Sequence, residues 1–169
     1  MTHQKEPVIL GDNHCDVLTQ AATFISPFES FRRYRYFCPA GRITIGYGHV
    51  VLPHETVVEP LDKAQAEKLL MADLARCKRQ LDQLVDVELT VLQEVALLSF
   101  IFNVGAMAFQ RSTLRQKLNR DLHDEVVPEF YRWTKARGRR LKGLVRRRDA
   151  EAKLYAAGTI DDEEVWGGF

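Results

Sequence analysis

A chain of 169 residues with 46% hydrophobic content is sized for one domain, or one domain in two lobes, and can bury roughly 70% of its unfolded surface without staples. Its 24 basic and 23 acidic residues nearly cancel to +1, a balance that hides a local asymmetry near the C-terminus. Three cysteines, Cys15, Cys38 and Cys77, are odd in number and lack CxxC spacing, which argues against a disulfide framework and for a reducing compartment.

Met1 to Asn13 reads as a loose polar leader, with no basic segment followed by an apolar run as a signal peptide would have. Asp12 or Asn13 caps a first helix over about 14–26, whose buried face is Val17, Leu18, Ala21, Ala22, Phe24 and Ile25. Pro27 ends or kinks it. Ser26-Pro27-Phe28-Glu29 fits a capping box, with Glu29 reaching back to Ser26. The functional alternative is a carboxyl among Phe28, Phe31 and Tyr34, where desolvation favours the protonated form a general acid needs, with Arg32, Arg33 and Arg35 pushing the other way.

Phe31 to Phe37 alternates aromatics with arginines, as a short strand does before the Cys38–Gly41 turn. A second strand over 42–47 puts Ile43, Ile45 and Tyr47 on one face and Thr44 on the other, open to a cleft if the first is buried. Gly46 and Gly48 permit close approach of a ligand or backbone; an ordinary hairpin with turn glycines is the plainer reading. Cys38, His49 and His54 match no usual zinc spacing, so no metal or cofactor is expected.

After a loop over 50–59, Asp62 and Gln65 form a capping box for a helix over 63–84, about 33 Å long. Cys77 lies on its apolar stripe as a core thiol. Thr90 and Gln93 box a helix over 91–104, apolar nearly all round, hence buried, and too short to span a bilayer. Gly105 caps its end, where Asn103 is either a cleft residue or a local cap. Shorter helices follow over about 107–110, 113–121 and 124–135, with Phe130 and Trp133 in the core unless Trp133 borders a sugar site, then a last helix over about 144–156 and a tail. Arg132 to Arg148 holds nine cations and no acid, a pattern suited to a polyanion such as nucleic acid, acidic lipid or an anionic wall polymer, or to a solvated face.

The pattern Glu29, eight residues, Cys38, five residues, Thr44, then IGYGH resembles the phage-type lysozymes, the endolysins of glycoside hydrolase family 24. Leu61–Leu70, Ala96–Phe109, Ser112–Asn119 and Lys142–Glu151 also resemble that family, so the likeness covers about residues 17–157. It implies an α+β, lysozyme-like fold over 14–157: a hairpin-bearing N-terminal lobe at about 29–60, a connecting helix at 63–84 and a helical lobe at 85–157, then a tail at 158–169. It further implies hydrolysis of the β-1,4 bond between N-acetylmuramic acid and N-acetylglucosamine in peptidoglycan. Glu29 would be the general acid, at or just past the end of the first helix. Cys38 stands where most relatives carry Asp, and would position water together with Thr44, giving inversion with acid and base roughly 6.5–9.5 Å apart. A thiol accepts hydrogen bonds less well than a carboxylate and is mostly protonated at its ordinary pKa of about 8.5, although nearby arginines favour the thiolate. His49, Asn103, Arg147 and Arg148 are the expected substrate-binding residues, with one of the two arginines approaching Glu29. Expected partners are the glycan strand and, indirectly, a holin for export, with no nucleic acid, no stable membrane insertion and a monomeric state. The chain would wait in the host cytoplasm and act at the cell wall. Oxidation of Cys38, linked to Cys15, would suspend its role. The rivals are a lytic transglycosylase and a non-catalytic basic module.

Overall fold

The computed structural model describes residues 13–38 and 41–159, with side chains from Val17 onward. The leader, the Cys15 side chain and the tail beyond Thr159 lie outside the described residues.

Helix α1 (Asn13–Ile25) runs directly into a 3-10 turn (Ser26–Phe28) with Pro27 in its first turn. The Glu29 N–H donates to the Ser26 carbonyl at 3.3 Å, and the chain then turns extended (φ −105°, ψ 128°). Ser26 therefore does not cap a new helix through Glu29. Its hydroxyl donates back to the Thr23 carbonyl at 3.4 Å. Glu29 instead closes the α1 unit, because Pro27 tolerates one more turn but cannot donate to the helix before it.

Strands β1 (Arg32–Phe37), β2 (Ile43–Gly46) and β3 (His49–Val50) form one antiparallel sheet in that order. Tyr36 lies opposite Thr44, and Phe37 opposite Ile43. Gly46 (φ +64°) and Gly48 (φ +91°) take the left-handed backbone that the tight β2–β3 turn requires. The apolar face is only partly sealed: Ile45 is buried, whereas Ile43 and Phe37 stay exposed. The sheet's support is small, a cluster of Ile45, Leu61 and Ala66 with Phe31, Tyr47, Val51, Val57 and Leu69 around it.

Helix α2 (Lys63–Leu84) opens on the Asp62–Gln65 capping box. It gives Ala66 to the small cluster and Leu70, Leu74 and Leu81 to the main one. Cys77 is half-buried against that core, and burial pushes its thiol up to about 11. Helix α3 (Val91–Val104), boxed by Thr90 and Gln93, is the centre of the molecule, with Ala96, Leu97, Leu98 and Phe100 fully buried. Helices α1, α2 and α7 (Lys142–Ala157) pack on it. Between α3 and α7 come α4 (Ala106–Gln110), α5 (Thr113–Leu118) and α6 (His123–Phe130).

Two helices stop short of the expected ends at about 121 and 135. Beyond α5, Asp121 takes a left-handed backbone (φ +59°), which a helix cannot continue through. Helix α6 stops at Phe130 rather than about 135. Lys135–Ala136 (β4) then pairs with Arg139–Arg140 (β5) across an Arg137-Gly138 turn with φ +49° and +75°.

Candidate active site

Glu29, Tyr36, Cys38, Arg42, Thr44, Gly48, Phe102, Asn103, Trp133, Lys135 and Leu144 line one cleft of about 560 Å³ between the sheet and the helical body. Pairing of β1 with β2 explains the sheet wall: Tyr36 and Thr44 are opposite each other, and Cys38 is two residues along from Tyr36, so all three side chains turn the same way. The Thr44 hydroxyl donates to the Arg42 carbonyl at 3.0 Å, which leaves its lone pairs to accept from a bound water or sugar. Cys38 is half-buried on that wall.

Glu29 stands at the opposite wall. Arg147 Nη1 donates to Glu29 Oε1 at 2.5 Å, and the Arg147 guanidinium lies 5.6 Å from the Phe28 ring centre. The other oxygen, Oε2, faces the hairpin, where a β-carbon on Gly48 would sit 3.5 Å from it. The aromatic cage expected of Phe31 and Tyr34 is not what surrounds the carboxyl. Phe31 packs on Tyr47 at 5.4 Å, and Tyr34 is 61% exposed. Asn103 and Glu29 also border a second hollow of about 460 Å³, walled by Pro27, Phe28, Leu141, Leu144 and Arg146.

The two candidate arginines part ways. Arg147 is the one at Glu29. Arg148 is fully buried and does not reach the cleft; it donates to Asn103 Oδ1 at 3.2 Å and to Glu151 Oε1 at 2.9 Å. Asn103 therefore reaches the cleft while tethered from behind. Of the nine cations from Arg132 to Arg148, these two are buried and seven are exposed, and Lys135 puts the β4–β5 hairpin on the cleft rim.

His49 is the expected substrate residue that the fold directs elsewhere. It is buried behind the sheet, with Nδ1 2.9 Å from Asp73 Oδ2 and Nε2 2.9 Å from Glu55 Oε2, and is not among the residues lining the cleft. Both nitrogens face carboxylates, so satisfying both takes the doubly protonated ring. The Asp73 hydrogen bond raises the His49 pKa against the opposing effect of burial. Asp73 also pairs with Arg76.

Tyr36 is the cleft residue that motif reasoning missed. Burial raises its pKa, and the nearby Glu29 and Cys38 add to that, with Arg32 opposing from 5.8 Å over its ring. Its signal was present: position 36 shares a strand face with 38. Among the described residues, no group of three or more His, Cys, Asp or Glu side chains is arranged to hold a metal ion. A carboxyl opposite a hydroxyl and a thiol across an open cleft is the equipment for protonating a leaving oxygen on one side and directing water from the other.

Comparison with known proteins places most of the chain among relatives of one kind. A family model described as phage lysozyme matches residues 26–151. An endolysin of Acyrthosiphon pisum secondary endosymbiont phage 1 is 38% identical over 135 residues, covering 78% of this chain and 91% of that protein. A SAR-endolysin of Escherichia phage Mu is 37% identical over 123 residues, covering 73% of this chain and 71% of its own. The solved muramidase domain of SpmX from Asticaccaulis excentricus is 32% identical with a TM-score of 0.71, covering 80% of this chain and 93% of that one. A P22 lysozyme crystal structure is 29% identical with a TM-score of 0.70, covering 82% and 96%.

Proposed function

The chain belongs to the phage lysozyme family, and from that premise we propose that it is an endolysin cutting the β-1,4 bond between N-acetylmuramic acid and N-acetylglucosamine in bacterial peptidoglycan. Glu29 gives its proton to the glycosidic oxygen as the C1–O bond breaks and positive charge develops on the sugar ring. A water held by Thr44 and Cys38 forms the new bond to C1 from the opposite face, losing its proton to the Cys38 thiolate, so the product anomer is inverted. Arg147 orients the acid. Asn103, Tyr36 and Trp133 offer hydrogen bonds and a flat apolar surface to the sugars. The observation that carries this reading is the shared cleft of Glu29, Cys38 and Thr44, with Arg147 fixed on the carboxyl.

Clearing of exposed sacculi tests it, with Glu29→Gln as the control. Loss of a positioned general acid is expected to cut the rate about a hundred- to ten-thousandfold. Wild-type clearing by Glu29→Gln refutes the assignment. Mass spectrometry of the products separates hydrolysis, which leaves a reducing muramic acid, from transglycosylation, which leaves a 1,6-anhydro end. A product anomer matching the substrate excludes simple inversion.

In this reading the chain acts as a monomer on the glycan strand. It waits in the host cytoplasm and reaches the wall through a holin pore, as its likeness to endolysins suggests. Lysis at the same time in cells lacking a holin refutes that route. Among the described residues, no helix is long and apolar enough to cross a membrane.

A further inference from the structure

A second carboxylate lies beneath Arg147. Glu151, one turn further along α7, is fully buried, and three donors converge on its Oε1: Ser99 Oγ at 2.6 Å, Arg147 Nε at 3.2 Å and Arg148 Nη2 at 2.9 Å. Ser99 also accepts from Arg147, through its hydroxyl oxygen at 3.3 Å from Nε and its carbonyl at 3.1 Å from Nη2. Two nitrogens of the Arg147 fork are thus bound to the α3–α7 floor, and the third, Nη1, is the one directed at Glu29. Because the fork is planar, fixing two of its nitrogens fixes the direction of the third. On the far side of Glu151, the Arg148 guanidinium lies 4.9 Å from the Phe100 ring centre.

This arrangement meets a specific difficulty. A guanidinium in contact with a carboxyl favours its ionised form, the opposite of what a proton donor needs. The floor behind Glu29 holds two arginines and one carboxylate, a net charge of one positive; without Glu151 it would be two. Buried charge of that kind persists only when it is paired and hydrogen-bonded. Burial pushes the Glu151 carboxyl above the ordinary carboxylate range, with Arg148 and Arg147 pulling it back. Burial also pushes Arg148 down to about 10.

We propose that Glu151, with Ser99, is a positioning residue for the hydrolysis: it aims Arg147 at Glu29 and offsets half the positive charge behind the acid, so that Glu29 keeps its proton until the glycosidic oxygen arrives. The inference rests on Glu29 being the general acid. The titratable and charged groups that share the two hollows bordering Glu29 are Arg147 and Arg146 from α7, Tyr36 from β1, Cys38 just after it, Arg42 just before β2 and Lys135 from β4. Those acting on Glu151 are Arg148 and Arg147 from its own helix and Ser99 from α3; α6, which also packs on α7, adds no charge to them.

The test is the pH dependence of glycan cleavage, on soluble peptidoglycan fragments so that kcat and KM separate. In Glu151→Gln the alkaline limb of the profile moves to lower pH by about one unit, and kcat falls more than KM changes. Ser99→Ala moves the limb about half as far in the same direction, and Glu151→Asp returns it most of the way to the wild-type position. In an Arg147→Gln background, Glu151→Gln moves the limb less than it does in the wild type, because only the charge of Arg148 is then left unopposed. A folded Glu151→Gln whose limb stays at the wild-type pH overturns the proposal, as does an equal shift in the Arg147→Gln background. If circular dichroism shows Glu151→Gln unfolded, Ser99→Ala carries the test, and an unmoved limb there overturns it. Wild-type clearing by Glu29→Gln would instead sink the acid assignment itself, a distinguishable failure.

Discussion

Replacing His49 with Asn measures what the buried imidazole between Asp73 and Glu55 contributes to the sheet. Two hydrogen bonds to carboxylates are lost, each worth about 1.5–3 kcal/mol. The partners are not orphaned: Asp73 keeps Arg76, and Glu55 keeps the Leu52 N–H at 3.1 Å with a quarter of its side chain in water. The net loss should therefore be about 2–4 kcal/mol, a fall in Tm of about 5–15 °C for a chain of this size. The sign with pH follows from the direction of the His49 shift. Its folded-state pKa is raised, so its stabilisation is fully present below the unfolded value of about 6.5 and is lost as pH rises through the folded value. Burial pushes Glu55 up, but its hydrogen bond to His49 leaves it lowered on balance, so its contribution is lost only in acid, below the range used here. Thermal melts by circular dichroism at about pH 5.5 and about pH 8.5 should show a large deficit for His49→Asn at the lower pH and a smaller one at the higher. Equal deficits at the two pH values, or none at the lower, would refute the reasoning.

Gly48→Ala is expected to cost about 1–2 kcal/mol, since φ is +91° there, and to slow sacculus clearing because the new methyl sits 3.5 Å from Glu29 Oε2; melts and clearing rates check the two effects. Gly158→Ala would bring a β-carbon into Thr90 Oγ1 and within 3.2 Å of the Gln93 nitrogen. Separating the end of α7 from the α3 cap should cost about 1–3 kcal/mol with the cleft untouched, read as a lower Tm at unchanged activity per folded molecule. The seven exposed cations from Arg132 to Arg146 should hold the enzyme on anionic wall polymer. Raising salt from about 0.1 M to about 1 M shortens the screening length from about 10 to about 3 Å and should release the enzyme from sedimented sacculi; salt-independent retention counts against it.

Much of the scaffold was legible because its signals are local. The Asp62–Gln65 and Thr90–Gln93 boxes, the apolar stripe of α2 and the all-round apolarity of α3 each fix an element from within a few residues. Ser26 to Glu29 satisfies the same local rule without forming a box, and of the two readings the fold takes the one with Glu29 just past the end of the first helix. The serine hydroxyl had a nearer partner in the preceding helix, and Pro27 continued that helix by one turn instead of starting another. The β4–β5 hairpin escaped notice because its residues are basic and its strands two residues long, although an Arg-Gly pair is a fair sign of a left-handed turn. The site divided in the same way. Glu29, Cys38 and Thr44 were named by the resemblance to the phage-type lysozymes, and the fold brings them to one cleft, whereas the choice between Arg147 and Arg148 turned on a contact 118 positions away. Adjacent helical residues point about 100° apart, and only the packing of α7 on α3 says which one looks into the cleft. His49 shows the converse: a motif position whose neighbours Asp73 and Glu55 turn it into an internal tie.

The two walls of the cleft are unequally anchored. Glu29 and its arginine are set against the main helical core, whereas the thiol and the hydroxyl ride on a sheet held down by the small cluster around Ile45, Leu61 and Ala66 and by the His49–Asp73 tie. Local opening follows the amount of packing beneath a segment. On warming, the wall that carries Cys38 and Thr44 should come adrift while the wall that carries Glu29 still holds, so that clearing of sacculi fades at temperatures where most helical ellipticity survives. Cooling should then restore it, because the standing helices offer the detached sheet a template to settle on.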